Sequence, residues 1–183
     1  PNGAGKTTTI KMIVGLIKPD KGTITISGHD TTKETEEALS SVGAVVENPE
    51  LYGYLTGRQN LEQTARFYKS ITKEDIDHIG NLIGLTTNLD EKVKKYSLGM
   101  KQRLGLGIAL LSKPKLLILD EPTNGLDPTG IIQFRKLLKK EAKENKMAIF
   151  ISSHILSEIE QVCDKVAFIN NGTIKSFEEL NGN

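Results

Sequence analysis

Two adjacent carboxylates close a run of four apolar residues. In Leu116–Pro128, LLILDEPTNGLDP, an apolar run ends at Asp120 and Glu121, and a proline follows them. A short apolar run ended by such a breaker is typical of a strand buried on both faces of a parallel sheet. We therefore expect both carboxylates at the carboxyl end of a core strand, where α/β sheets place their chemistry. Unpaired carboxylates are costly to bury there, so a magnesium ion and a nucleotide phosphate are the predicted partners.

A glycine-rich segment at the start of the chain predicts where that nucleotide binds. Residues 1–8, PNGAGKTT, match the phosphate-loop pattern G-x-x-x-x-G-K-[ST] apart from its first glycine. Lys6 is expected to reach the outer phosphates, and the Thr7 hydroxyl to bind the metal ion that Asp120 also holds. Thr8 is expected to open the next helix, whose N-terminal dipole also favours an anion. The predicted nucleotide-binding residues of this loop are Asn2, Gly3, Ala4, Gly5, Lys6, Thr7 and Thr8.

An accidental Gly-Lys-Thr in an ordinary turn is the alternative to a phosphate loop. The apolar strand that ends in Asp-Glu downstream disfavours this alternative, because the two motifs belong to one kind of site. The chain begins with Pro1, inside the pattern, so we expect it to be a fragment whose preceding strand lies outside it.

Length and charge limit the classes of function. The chain has 183 residues, enough for one sizeable domain, and 24 basic against 23 acidic residues give a formal net charge of +1. A nucleic-acid surface would show a strong basic excess, so no nucleic-acid partner is expected. A single cysteine excludes an internal disulfide and suits a reducing compartment. No run approaches the ~20 apolar residues needed to cross a bilayer.

Strand and helix patterns alternate along the chain, which predicts an α/β fold. Apolar spacing predicts helices over residues 9–17, 57–84 (as two helices), 130–144 and 155–163. Strands are expected at Thr23–Ser27, Val42–Val46, Leu116–Leu119, Ala148–Ser152 and Val166–Ile169, with a hairpin turn at Asn170-Asn171-Gly172 into Thr173–Lys175. We expect one domain, in which a nucleotide-binding core of residues 1–47 and 114–183 is interrupted by a largely helical segment, residues 48–113.

Residues 96–111, YSLGMKQRLGLGIALL, lie shortly before the carboxylate strand. Ser97 is a favourable N-cap, and Leu104, Ile108 and Leu111 form an apolar stripe on the helix that it begins. A serine and a glycine exposed at a helix N-terminus form a second anion site, separate from the phosphate loop. Taken alone, the segment is an ordinary capped helix, but its place between a phosphate loop and an LDEPT strand favours the anion site.

The three motifs together resemble the ATP-binding subunit of ABC transporters, and the resemblance covers the whole chain. That family's signature, LSGGQ-x-x-R, stands here as Tyr96–Arg103, with Leu98 in place of a glycine and Met100 in place of the glutamine. The resemblance implies a P-loop NTPase core with a mostly parallel sheet, an inserted helical subdomain and a small antiparallel β portion. It also implies a peripheral subunit at the cytoplasmic face of the cell membrane, which hydrolyses ATP with Mg²⁺ to drive a separate transmembrane permease.

The resemblance assigns Asp120 to magnesium, Glu121 to catalysis and His154, in ISSHILSE, to the role of the family's switch histidine. A glutamate one residue beyond a metal ligand can orient or deprotonate the water that attacks the γ-phosphate. An imidazole that follows a buried strand could donate to the developing phosphoryl charge. A capping or surface role would be preferred for His154 in isolation, but the other motifs stand in the expected order.

The resemblance also implies a second ATPase domain, identical or different, that faces the first. Each ATP would lie between the phosphate loop of one domain and the signature of the other. Ser97 would thus contact the partner's nucleotide, with Gly99 permitting close backbone approach, and Asp127 in Gly125-Leu126-Asp127 would lie at the dimer seam.

One position departs from the family pattern. The family's glutamine after the second strand, which touches the metal site and the membrane subunit, corresponds here to Glu47 in VVENPELYGYL. Glu47 could still reach magnesium, directly or through water, and it adds a negative charge. Three interpretations stay open: a harmless variant whose charge the metal offsets, an altered coupling or metal affinity, and a surface glutamate with the true contact made by Asn48.

The segments ENPELY and SLGMKQRLG resemble the bacterial subgroup that exports or expels antimicrobial peptides, bacitracin and lantibiotics among them. The resemblance implies that Tyr52 and Tyr54 face the membrane subunit, although core packing would explain either ring equally well.

Two alternatives to a transporter ATPase remain. A soluble ABC-type ATPase acting on ribosomes or DNA is disfavoured by the near-neutral charge. A regulatory ATP binder without turnover is disfavoured because Lys6, Asp120, Glu121 and His154 are all present.

Overall fold

The computed structural model describes residues 3–180, and Asn2, predicted to bind nucleotide, lies outside the described residues. The α-helices are α1 (Lys6–Ile13), α2 (Thr35–Leu39), α3 (Gly57–Ala65), α4 (Lys73–Leu82), α5 (Leu98–Leu111), α6 (Pro128–Glu144) and α7 (Leu156–Ile159). The strands are β1 (Thr25–Ile26), β2 (His29–Asp30), β3 (Val42–Val45), β4 (Leu116–Asp120), β5 (Ala148–Ser152), β6 (Lys165–Asn170) and β7 (Thr173–Glu179). Within residues 3–180, no helix combines the length and apolar character needed to span a bilayer.

A parallel sheet of β3, β4 and β5 forms the centre of the fold, with β4 in the middle. Leu117, Ile118 and Leu119 of β4 are at most 1% exposed, which confirms a strand buried on both faces. The register pairs Asp120 with Ser152, so the carboxyl ends of β4 and β5 lie side by side. The predicted α/β fold with a mostly parallel sheet is thereby confirmed.

Two antiparallel pairs, β1 with β2 and β6 with β7, form the predicted small antiparallel portion. Asn171 and Gly172 connect β6 to β7 with φ of 48° and 71°. Two consecutive positive φ angles are the backbone of a type I′ hairpin turn, for which Asn-Gly is the preferred sequence. The predicted hairpin is therefore confirmed, and its second strand extends beyond Lys175 to Glu179.

The helices α3, α4 and α5 lie between β3 and β4 in the chain and pack against one another. Capping boxes begin α3 and α4, because the Thr56 and Thr72 side chains each accept the backbone N–H of the third helical residue. The helix α5 also packs on β3, so it connects the helical segment to the central sheet. The boundary of a helical subdomain at residues 48–113 stays a prediction.

Predicted bounds are also wrong at one strand and at two helices. The first strand spans only Thr25–Ile26, where Thr23–Ser27 is expected. The helix α1 begins at Lys6, before Thr8, and ends at Ile13, well short of residue 17. It stops because Gly15 adopts φ of 73° and its N–H donates to the Met12 carbonyl, a helix-ending arrangement that only glycine adopts freely. The helix α7 spans four residues only, where residues 155–163 were expected to be helical.

Candidate nucleotide site

An open cleft of about 310 Å³ lies where the start of α1 meets the ends of β4 and β5. That volume is within the range of small-molecule sites. Its lining residues are Gly3, Ala4, Gly5, Lys6, Thr7, Thr8, Glu121, Asn124 and His154. The structure therefore brings the predicted phosphate loop, the predicted catalytic glutamate and the predicted switch histidine into one cleft, although they are up to 151 positions apart in sequence (154 − 3).

The phosphate loop has the backbone that its glycines predict. Gly3 and Gly5 adopt φ of 77° and 104°, conformations that other residues rarely take. Gly5 is the N-cap of α1 and has no side chain with which to cap the first N–H groups, so these donors face the cleft without a local competitor. Such N–H groups together with the helix dipole favour an anion. Ala4 is buried, and its carbonyl accepts the Gly172 N–H at 2.9 Å, which ties the loop to the β6–β7 turn.

Asp120 is 2% exposed and has a hydrogen-bond donor on each carboxylate oxygen. Thr7 Oγ1 donates to Oδ2 at 2.8 Å, and Ser152 Oγ donates to Oδ1 at 2.5 Å. A hydroxyl and a carboxylate so close together are hard oxygen ligands of the kind that Mg²⁺ prefers. Across residues 3–180, no group of three or more His, Cys, Asp or Glu could hold a metal ion by itself. Thr7 and Asp120 have donor atoms that would suit a magnesium ion together with ligands from outside the protein.

The Glu121 carboxylate contacts two other polar side chains of the cleft. Its Oε1 lies 3.4 Å from Lys6 Nζ, and its Oε2 accepts a hydrogen bond from His154 Nδ1 at 2.8 Å. Its backbone is in the left-handed region with φ of 48°, which costs a non-glycine residue of order 1–3 kcal/mol. The Glu121 N–H donates to both the carbonyl and the hydroxyl of Ser152, at 3.1 and 3.0 Å. A strained backbone held by two acceptors at a cleft is typical of a functional position.

The signature residues Ser97 and Gly99 lie outside the lining of this cleft. Ser97 is exposed and begins α5 as predicted, because its Oγ accepts the Met100 N–H at 3.2 Å. A Cβ added to Gly99 would lie 3.3 Å from Leu126 Cδ2, so the signature lies against the Gly125-Leu126-Asp127 turn of the same chain.

Asp127 also has a local structural role that the motif did not reveal. Its Oδ1 accepts the Gly130 N–H at 3.1 Å, which makes it the N-cap of α6, with Pro128 at the first helical position. The Asp127 side chain is exposed and lies outside the cleft lining, in the turn that packs against the signature residues.

Glu47 is exposed and lies outside the cleft lining. Its Oε1 lies 2.8 Å from Nζ of Lys11, which is four residues after Thr7 on α1. Its backbone is left-handed, with φ of 59°. The negative charge that distinguishes Glu47 from a glutamine is thus compensated in this structure by a lysine one turn beyond the proposed metal ligand.

Tyr52 and Tyr54 are 53% and 70% exposed, so core packing does not explain either ring. The two rings contact each other edge to face, with centroids 5.9 Å apart. They form an exposed aromatic pair shortly after Glu47.

Sequence reasoning missed Ser152 and Asn124. Asn124 lines the cleft three residues after Glu121, between that glutamate and the Gly125-Leu126-Asp127 turn, to which the sequence assigns other roles. Ser152 carried no motif of its own, and only the register between β4 and β5 places its hydroxyl on Asp120.

Comparisons with known proteins agree with the sequence motifs. The ABC transporter family matches residues 1–124. A bacitracin transport ATP-binding protein, BcrA of Bacillus licheniformis, is 52% identical over 98% of this chain and 58% of its own length. A lantibiotic transport ATP-binding protein, SrtF of Streptococcus pyogenes, is 42% identical over all of this chain and 77% of its own length. Two uncharacterized ABC transporter ATP-binding proteins of Bacillus subtilis, 56% and 50% identical, are matched over 59% of their length, so the chain spans less than two thirds of these relatives.

A solved structure of an ATP-binding subunit of an ABC transporter superposes on this chain with a TM-score of 0.84. Its sequence is 34% identical, and the match covers 99% of this chain and 76% of that one. The fold therefore matches over 99% of the chain, and the family model over residues 1–124.

Proposed function

Since the chain belongs to the ABC transporter family, and resembles its bacitracin and lantibiotic ATP-binding members, we propose that it hydrolyses ATP to ADP and phosphate to drive a separate transmembrane transporter. The observation that carries the proposal is the convergence of Lys6, Thr7, Asp120, Glu121 and His154 at one cleft. ATP and Mg²⁺ are the cofactors that this arrangement fits.

Each group of residues in the cleft would have a separate role in ATP hydrolysis. The N–H groups of the glycine loop and the start of α1 would hold the phosphates, and Lys6 would exchange its contact with Glu121 for one with an outer phosphate. Thr7 and Asp120 would hold Mg²⁺, which supplies charge neutralisation to the phosphate oxygens when bound. Glu121 would orient and deprotonate the attacking water, and His154, held by Glu121, would donate to the phosphoryl group.

A lysine pair tests the site. Lys6→Ala in the full-length protein should abolish ATP hydrolysis and strongly weaken ATP binding, because the phosphate loop loses its point charge. Lys18→Ala, a change of an exposed lysine in the same segment, is the matched control and should bind and hydrolyse ATP as the unaltered protein does. Equal activity of the two variants would exclude this cleft as the hydrolysis site.

We propose further that two such domains share their nucleotides, with Ser97 and Gly99 of one domain facing the ATP of the other. Support comes from the exposure of Ser97 and from the contact of the signature with the turn that contains Asp127, which together present one continuous surface. Ser97→Asp keeps an N-cap acceptor and adds a negative charge, whereas Ser97→Asn keeps the cap without the charge. In a Glu121→Gln background with ATP, size exclusion should show a dimer for the Asn variant and a monomer for the Asp variant. A dimer in both would contradict the shared site.

The partner proposed for this subunit is a transmembrane permease, and the place of action is the cytoplasmic face of the membrane. The substrate class proposed is an antimicrobial peptide or drug, by similarity to BcrA and SrtF. The exposed pair Tyr52 and Tyr54 supports a docking surface next to Glu47. Stimulation of ATP hydrolysis by a co-expressed hydrophobic partner, in membranes, would support this proposal. Co-sedimentation with ribosomes, with no such stimulation, would favour a soluble ABC-type ATPase.

A further inference from the structure

Ser152 contacts both carboxylate residues at the end of β4 through its hydroxyl and its carbonyl. It is 6% exposed, ends β5 and pairs in register with Asp120. Its hydroxyl donates to Asp120 Oδ1 at 2.5 Å and accepts the Glu121 N–H at 3.0 Å, and its carbonyl accepts the same N–H at 3.1 Å. One buried side chain therefore contacts both Asp120, the proposed metal ligand, and Glu121, the proposed general base.

The contact with Asp120 fixes the plane of a buried carboxylate. Thr7 binds Oδ2 and Ser152 binds Oδ1, so each oxygen has its own donor and rotation about the last side-chain bond would break both bonds. A carboxylate at 2% exposure is costly to bury unless it is hydrogen-bonded, and these two hydroxyls supply that compensation. The other hydrogen bond to this carboxylate described above comes from Thr7, which would also bind the metal.

The contact with Glu121 supports an unfavourable backbone. A glutamate at φ of 48° persists only where its surroundings hold it, and its N–H is held here by two acceptors of one residue. The direction of the Glu121 side chain, and hence its contact with His154, depends on that backbone.

The neighbouring serine shows that this arrangement is specific to one position. Ser153 Oγ accepts the Ile155 N–H at 3.0 Å, a local turn contact between β5 and α7. Ser153 thus offers the same chemical group one residue beyond β5, where its hydroxyl is engaged in that local turn.

We propose that Ser152 is a positioning residue of the hydrolysis site, which orients the Asp120 carboxylate toward the metal and the Glu121 backbone toward the attacking water. This inference rests on the proposed function. It assigns to Ser152 no contact with substrate, and it predicts that the metal-dependent steps are affected and metal-free nucleotide binding is not.

The test compares Ser152→Ala, Ser152→Thr and Ser153→Ala in the full-length protein. Mn²⁺ binding to the ATP complex is followed by electron paramagnetic resonance, ATP binding without divalent metal by fluorescent-nucleotide titration, and turnover by phosphate release. Hydrogen bonds to charged groups are strong enough to shift an equilibrium roughly 10-fold to 100-fold. We expect Ser152→Ala to weaken Mn²⁺ binding by about that factor, to raise the KM for metal-bound ATP in parallel and to lower kcat, with metal-free ATP affinity unchanged. Ser152→Thr, which retains the hydroxyl, should restore these properties, and Ser153→Ala should match the unaltered protein.

Several results would overturn the inference. Unchanged Mn²⁺ binding and kcat in Ser152→Ala would exclude a positioning role, as would equal defects in Ser152→Ala and Ser153→Ala. A loss of metal-free ATP affinity in Ser152→Ala, or a threonine variant no better than alanine, would assign Ser152 a general structural role instead. Failure of the unaltered protein to bind or hydrolyse ATP would refute the proposed function, so the two failures are distinguishable.

Discussion

Glu121→Gln should separate hydrolysis from binding, and the structure sets the size of both effects. Glutamine keeps the shape of the side chain, and the backbone contacts with Ser152 do not involve the carboxylate. It cannot take a proton from water, and removal of a general base slows a reaction about 10²-fold to 10⁴-fold. We expect kcat for ATP hydrolysis to fall by about that factor in the full-length protein.

ATP binding should stay intact or become tighter. Lys6 lies 3.4 Å from Glu121 Oε1, so this pairing competes with the contact that Lys6 would make to phosphate. Both side chains are under 20% exposed, 15% and 18%, but each still reaches solvent at the open cleft. Such a pair contributes about 1 kcal/mol at most, and its removal would lower the Kd for ATP by up to about five-fold.

The assay combines steady-state phosphate release with fluorescent-ATP titration. The matched control is Glu160→Gln, a change of an exposed glutamate outside the cleft lining, which should leave turnover and affinity unchanged. Unchanged turnover in Glu121→Gln would remove Glu121 as the base. Weaker ATP binding in that variant would refute the argument that Glu121 competes for Lys6.

Four further predictions concern other parts of the molecule. If Glu47 reaches the metal, Glu47→Gln should raise the Mg²⁺ concentration needed for half-maximal activity. Lys11→Gln, which releases Glu47 from its ion pair, should lower that concentration. No shift in either variant would show that Glu47 has no role at the metal. The same two variants should change the free energy of unfolding by less than about 1 kcal/mol, because the ion pair is partly exposed. Ile118→Ala should destabilise the fold by about 2–5 kcal/mol in urea unfolding, because the side chain is fully buried in β4, and a smaller loss would contradict that packing. The pKa of Asp75 is lowered from 3.8 to about 2, chiefly because the backbone N–H of Thr72 donates to its carboxylate. The ionised carboxylate therefore stabilises the folded state above about pH 4, and this stabilisation disappears as the pH falls toward 2. Asp75→Asn should therefore be less stable than the unaltered protein at neutral pH and equally stable near pH 2, by urea unfolding at both pH values.

Much of the candidate site was predictable because its signals are local in sequence. The glycine loop, the apolar strand that ends at Asp120, and the N-cap at Ser97 each depend on a few consecutive residues. The hydrogen bond between Thr7 and Asp120 connects the glycine loop to the strand end. The family resemblance predicts that these two motifs share one site, which their spacing in sequence does not. Helix ends were less predictable, since the apolar spacing of α1 continues past Gly15, where a positive φ stops the helix.

By itself, the sequence determined the α/β class, the order of the motifs and the residues of the phosphate loop and of the strand end. Only the tertiary structure decided which groups touch across the fold. The contacts of Ser152 with both carboxylate residues require the exact register of β4 against β5, and the Lys11–Glu47 pair requires α1 to pass the end of β3. The physical reason is that strand register and helix placement result from packing of the whole core, so contacts between distant side chains have no signature in the local pattern.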